Sequence, residues 1–334
     1  MRHLIDWHLI GDEIWNAAVE RALHHYRERA WTNAARERSI ALMFFNPSLR
    51  TRTSMELAAI QLGAHPTTLT PGHGTWNFSF EKGKVMEGDE AEHILEAVGV
   101  LSRYYGALGV RLFASQTDYA KDRDERLLKT FVDAATVPVV NLESAFYHPC
   151  QALADAAAVC RHFGSPASRK FVLTWAYHPK PLPMAVPNSA LLMASRLGMN
   201  VVVARPSAYA LDPGVMQRAR AYAEAQGGSV TETTEMDDAF DGADVVYAKA
   251  WGGRTVYDDP SEEARIRSSC KEWRVTEDRM KRAPHGVFMH CLPVRRNVVV
   301  DDAVLDGPQA IHLLQAEFRL HAQKAILEYI WDLG

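Results

Sequence analysis

The chain has 334 residues, 47% apolar and 23% charged, which suits a soluble globular protein with room for about two cored domains. Its 37 Lys+Arg against 41 Asp+Glu leave no basic field to draw nucleic acid or an anionic membrane, so any affinity for an anion has to arise from local clustering. Four cysteines without Cys-x-x-Cys spacing argue against a zinc site. The start lacks the apolar run of a signal peptide, and no stretch nears the roughly 20 apolar residues of a membrane span, so a reduced, cytoplasmic setting is expected.

In chain order, residues 12–29 read as a helix and the apolar run 39–45 as a buried strand. Further strands are predicted at 65–69, 107–113 and 137–142, with helices at 92–105 and 125–135 between and around them. The second half repeats the alternation. Strands fall at 170–175, 199–204, 244–250 and 286–291, and helices at 152–163, 188–197 and 213–225, the last stopped by Gly227-Gly228. The amphipathic tail 317–331 has a helical period and is expected to pack beside the helix 12–29. Strand–helix alternation predicts parallel sheets covered by helices, in two α/β units that meet near residue 150. In such sheets ligands sit beyond the carboxyl ends of strands.

The most telling segment follows the first strand: Asn46-Pro47-Ser48-Leu49-Arg50-Thr51-Arg52-Thr53-Ser54, opening a helix. Unpaired N–H groups at a helix start, with Ser48, Thr51, Arg50 and Arg52, make a cradle for a small anion such as phosphate. No glycine-rich loop ending in Gly-Lys-Ser/Thr is present, which argues against a nucleotide P-loop. The blander alternative is a capped helix with two solvated arginines. Three other strand ends carry polar groups. Arg111 closes an apolar run, where a charge is costly unless paired or aimed at a ligand. His148 and Gln151 open a helix and can address one carbonyl or amide group. His290-Cys291-Leu292-Pro293 is a strand running into a turn, with Arg295 and Arg296 beyond; strand alternation would put His290 and Cys291 on opposite faces. The stiff loop His178-Pro179-Lys180-Pro181 suits a substrate wall.

Ser-Leu-Arg-Thr-Arg, the Gly-Val-Arg strand end, His-Pro-x-Gln and His-Cys-Leu-Pro occur here in one order, and together they resemble the aspartate/ornithine carbamoyltransferase family over essentially the whole chain. The resemblance implies a carbamoyl phosphate-binding domain at 1–150, joined by the C-terminal helix 315–334, and an amino acid-binding domain at 151–314. It also implies a catalytic homotrimer with shared sites, and no metal or other cofactor. It marks Ser48, Leu49, Arg50, Thr51, Arg111, His148, Gln151, Cys291 and Leu292 for carbamoyl phosphate, with Arg111, His148, Gln151, Thr51 and Cys291 in catalytic roles. Fixed donors at the carbonyl oxygen and the phosphate would stabilise the charge that gathers there as a neutral amine attacks.

The acceptor is less plain. Ornithine enzymes carry Asp-x-x-x-Ser-Met-Gly for the free α-ammonium, whereas this chain has Lys249-Ala250-Trp251-Gly252 at the matching place, and a lysine favours a carboxylate instead. With Trp76 and the His178 loop, this resembles the subgroup acting on N-acylated ornithine in arginine biosynthesis. That subgroup resemblance implies acceptor contacts from Trp76, Glu143, His178, Lys249, Leu292, Arg295, Arg319 and Ala91. Acetyl enzymes have a glutamate where Ala91 stands and a lysine where Val299 stands; succinyl enzymes have a proline at the former. Both departures lean toward N-succinylornithine, with N-acetylornithine the alternative and plain ornithine less favoured.

Overall fold

The computed structural model describes residues 1–333, and the chain divides into two compact units. The first comprises Met1–Ser115, Ala120–Leu153 and the segment from Arg319 onward; the second comprises Gln116–Tyr119 and Ala154–Phe318. Two helices, Pro149–Phe163 and His312–Trp331, carry the chain from one unit into the other.

In the first unit β1 (Ser39–Phe44) and β2 (His65–Leu69) pair in parallel. The short strands β3 (Asn77–Ser79) and β4 (Glu90–His93) form a separate parallel pair. With β5 (Leu108–Arg111) and β6 (Val139–Glu143), the main sheet has the all-parallel order β2-β1-β5-β6. Ile40 to Phe44 are all buried, as in a parallel strand covered on both faces. Ala41, Met43 and Val110 pack with Ile94 and Val98 of the helix Ile94–Tyr104 and with Phe131 of the helix Arg126–Ala134. The tail helix is tied to this unit's helix Asp12–Glu28 by Arg21 and His25 on Glu328 (2.6 and 2.9 Å), and Lys324 donates to Ala30 O at 2.7 Å.

In the second unit β7 (Lys170–Trp175), β8 (Asn200–Ala204), β9 (Ser229–Thr233), β10 (Val245–Lys249) and β11 (Val287–Met289) form a parallel sheet of order β11-β10-β7-β8-β9.

Several expectations need correction. The strand expected at 107–113 ends at Arg111, and the one at 286–291 ends at Met289, so His290 and Cys291 lie beyond the ladder and alternation does not govern them. The helix expected from residue 92 starts at Ile94, because Glu90–His93 pairs with β3. β9 was not anticipated: Ser-Val-Thr-Glu-Thr is a polar, mostly exposed edge strand, the composition that keeps an edge from pairing with another chain. Among the described residues, no helix is long and apolar enough to cross a membrane.

Candidate active site

The first unit gathers Thr51, Arg111, Glu143, His148, Gln151 and Arg319 into connected polar contacts. The helix Arg50–Gln61 starts six residues past the end of β1, within the segment expected to open it. Ser48 Oγ accepts from Thr51 N at 3.1 Å and caps that start, while Leu49 stands 73% exposed. Arg52 lies outside the cradle expected for it: its side chain is half exposed and bonds Glu56 one turn on, at 3.2 Å.

Thr51, Gln151 and Arg319 are buried. Arg319 Nη2 donates to Thr51 Oγ1 at 2.8 Å and Nη1 to Gln151 Oε1 at 2.6 Å. Arg319, which the resemblance put in the acceptor set, thus bonds two residues that it marks for carbamoyl phosphate.

Arg111 is 7% exposed at the end of β5 and pairs with Glu143 at the end of β6. This partner sits on the adjacent strand, and an irregularity in the ladder sets it. Val110 faces Asn141, but Arg111 faces Glu143, and the skipped Leu142 swings the carboxylate toward the guanidinium. Glu143 has φ +136, a conformation L-residues seldom adopt and one that clusters at functional sites. Arg111 Nη2 donates to Pro47 O at 3.3 Å, its guanidinium lies 4.4 Å from the Phe113 ring centroid, and its Nε has no hydrogen-bond partner among the described residues. Buried His148 brings Nε2 to 3.4 Å from the same Glu143 carboxylate.

The turn from Glu143 to His148 is held from beneath by residues that pattern reading missed. Asn141 Oδ1 accepts from Glu143 N at 2.9 Å, and Asn141 Nδ2 donates to Ser144 Oγ at 2.8 Å. Glu125 Oε1 accepts from Ser144 Oγ at 2.5 Å and Phe146 N at 2.9 Å, and burial pushes its carboxyl up to about 7. Cys150 is buried beside this turn, and burial raises its thiol to about 11, which keeps it protonated and inert.

The second unit brings His178 and Arg295 together: Arg295 Nε donates to His178 Nε2 at 3.0 Å. Nδ1 faces both Lys180 O at 2.9 Å and Lys180 N at 3.1 Å, and with Nε2 accepting from the guanidinium the neutral ring carries its proton on Nδ1 and donates to the carbonyl. Burial, joined by the charges of Arg295, Lys249 and Arg267, lowers this imidazole's pKa and keeps it neutral. Lys249, at the end of β10, is 9% exposed and has no acidic partner among the described residues. A buried ammonium in that condition is costly unless a ligand supplies the counter-charge.

The turn at Cys291-Leu292 is pinned by a relay invisible to motif reading. Tyr247 OH donates to Asp155 Oδ2 at 2.9 Å, and Gln315 Nε2 donates to Asp155 Oδ1 at 2.7 Å. Gln315 Oε1 accepts from His290 N at 2.9 Å, and His290 Nδ1 accepts from Leu292 N at 2.8 Å. Leu292 has φ +56, a left-handed conformation that this bonding holds in place. Cys291 is half-buried. Ala91 lies in β4 and Trp76 immediately precedes β3, and both are exposed. No group of three or more residues suited to hold a metal ion occurs among the described residues.

Residues 2–161 match the family model described as the aspartate/ornithine carbamoyltransferase carbamoyl-P binding domain, and residues 184–330 its Asp/Orn binding domain. The chain belongs to the aspartate/ornithine carbamoyltransferase family. It is 45% identical over 327 residues to the N-acetylornithine carbamoyltransferase of Xanthomonas campestris pv. campestris, covering 96% of each chain. Against the N-succinylornithine carbamoyltransferase of Bacteroides thetaiotaomicron it is 35% identical over 320 residues, covering 96% of this chain and 95% of that one. The crystal structure of acetylornithine transcarbamylase complexed with acetylcitrulline matches with a TM-score of 0.95, at 43% identity over 100% of both chains. This protein is thus an enzyme, a carbamoyltransferase with the two-domain fold of its family, each domain a parallel sheet covered by helices.

Proposed function

We propose that this carbamoyltransferase moves the carbamoyl group of carbamoyl phosphate to the side-chain amine of N-acetyl-L-ornithine, giving N-acetyl-L-citrulline and phosphate. The observation that carries the choice of an acylated acceptor is Lys249. A buried cation without an acidic partner among the described residues repels the free α-ammonium of ornithine and attracts a carboxylate. Acylation removes that ammonium and keeps the α-carboxylate. The acetyl group is favoured because the acetyl enzyme is the nearer of the two relatives, at 45% against 35% identity. This reverses the lean drawn from Ala91 and Val299.

In the first unit Ser48, Leu49, Arg50 and the helix start receive the phosphate, and Thr51, Arg111 and His148 face the carbonyl oxygen. Glu143 holds Arg111 and His148 in place, and Arg319 does the same for Thr51 and Gln151, so the donors need little rearrangement as charge develops. The neutral amine attacks the carbamoyl carbon, and negative charge grows on the carbonyl oxygen and on the departing phosphate. The phosphate dianion accepts the amine's proton. The Cys291-Leu292 turn orients the amine through its backbone. Glu143, His178, Lys249 and Arg295 hold the acceptor's amino-acid end, and Trp76 packs on its aliphatic part. A homotrimer in the cytoplasm, serving arginine biosynthesis through acylated intermediates, completes the proposal.

A second reading keeps N-succinyl-L-ornithine as acceptor. Ala91 favours it, being small, neutral and exposed where a glutamate would repel the succinyl carboxylate. Citrulline-type product, measured after deacylation with N-acetylornithine, N-succinylornithine and ornithine at equal concentration, separates the three. A faster rate on ornithine than on either acylated acceptor would sink the acylornithine reading.

A further inference from the structure

The strand pair β3–β4 contains a polar contact that the catalytic cluster does not use. Trp76 stands one residue before β3 and is 56% exposed, yet its indole Nε1 donates to Glu92 Oε2 at 2.8 Å. The ladder explains why Glu92 reaches it. Asn77 faces Glu90, the next pairing is Phe78 with Glu92, and Ala91 is the residue skipped between them. A bulge of this kind re-aims its neighbours. It leaves Ala91 outward and sets Glu92 level with the strand that follows Trp76. Glu90, the other carboxylate of this strand, is bonded to Lys84 at 2.6 Å. The same strands wall a cleft of about 450 Å³ with Asn77, Phe78 and Glu90 among its lining residues.

Resting on the acceptor reading above, we propose that Glu92 is a positioning residue that holds the Trp76 indole in the orientation in which it packs on the N-acylornithine. An exposed indole on a loop otherwise samples several rotamers, and binding would have to freeze it. The hydrogen bond to Glu92 makes that selection before the acceptor arrives.

The test is steady-state kinetics with acetylornithine and carbamoyl phosphate varied separately, on the wild type, Glu92→Ala, Glu92→Gln, Trp76→Phe and the double variant Trp76→Phe/Glu92→Ala. Glu92→Ala is expected to raise the KM for acetylornithine about three- to tenfold, while kcat and the carbamoyl phosphate KM stay within about twofold. Glu92→Gln is expected to restore the wild-type KM, because its amide oxygen accepts the same bond. In the Trp76→Phe background the Glu92→Ala change should add nothing, as coupled residues are non-additive. An unmoved acceptor KM in Glu92→Ala, or the full effect persisting without the indole, overturns the positioning role while leaving the function intact. A wild type that carbamoylates no acylated ornithine overturns both.

Discussion

The cluster around Arg111 and the strand pair β3–β4 belong to the same unit and are built on opposite plans. Thr51, Arg111, His148, Gln151 and Arg319 are all buried, and their charges and dipoles are held against one another where water screens little. From Gly72 to Asp89 the chain is largely exposed, with Phe78, Ser79 and Phe80 turned toward the core. A preorganised polar cluster tolerates almost no substitution, since each loss strands a buried partner. The outward side chains of the strand pair, such as Asn77 and Ala91, can change with little effect on stability. In the proposed function, transfer chemistry and acceptor choice are thereby mounted on structures with very different tolerance for change. Arg111→Ala is the harshest test of the first half of that contrast. It removes a donor to the carbonyl oxygen and strands Glu143, so kcat/KM should fall by about a hundred- to a thousandfold, roughly 3–4 kcal/mol. A loss under about tenfold would show that the cluster is not preorganised for transfer.

The next effect sets a buried charge against an exposed one in stability rather than catalysis. Burial works to raise the Glu328 carboxyl, but hydrogen bonds from Arg21 and His25 outweigh it and bring the group to about 2, against an ordinary 4.5. In that window the unfolded chain takes up a proton before the folded one does. The contribution is therefore complete above about pH 4.5 and drains away as the pH falls toward 2. Glu328→Gln should cost about 2–3 kcal/mol at pH 7 and flatten the fall below pH 4.5, read as urea midpoints. Glu90→Gln, on the exposed Lys84 pair, should leave the midpoint unchanged. Equal losses in the two variants would erase the distinction between buried and exposed charges.

Ala91→Glu probes the exposed half. It places a carboxylate beside the acyl end of the acceptor in the proposed complex, so the acetyl-over-succinyl ratio of kcat/KM should rise about tenfold with little change in stability. An unchanged ratio would remove Ala91 from acceptor choice. The difference between the halves also explains what the sequence made legible. β7 was readable to the residue, because a strand buried on both faces is a largely continuous apolar run, Phe171 to Trp175 here. The helix start carrying Ser48, Arg50 and Thr51, the cradle proposed for phosphate, was readable because its hydroxyls and guanidinium groups lie together in the sequence. The Asp155–Gln315–His290 relay, the hold of Asn141 and Glu125 on the His148 turn, and the place of Arg319 are contacts between residues far apart in the chain. No periodicity announces them. β3, β4 and β9 were missed for the opposite reason, being short and polar, with no apolar run to mark them.

The smallest expected effect is the sharpest check on where the cradle stops. Arg50 and Arg52 look alike in the sequence, two guanidinium groups in one Arg-Thr-Arg run, and both were expected at the anion. On the helix Arg50–Gln61 they point differently: Arg52 is half exposed and its bond to Glu56 lies along the helix surface. An exposed pair four residues apart contributes about 0.3–0.5 kcal/mol. Arg52→Ala should therefore shift stability by no more than that and leave the carbamoyl phosphate KM within about twofold, whereas Arg50→Ala should raise it by about a hundredfold. Because both variants remove one positive charge from the same turn, long-range attraction falls equally in each, and only direct contact with the phosphate separates them. A KM raised alike in both would mean that the field of the turn, rather than the cradle geometry, holds the anion.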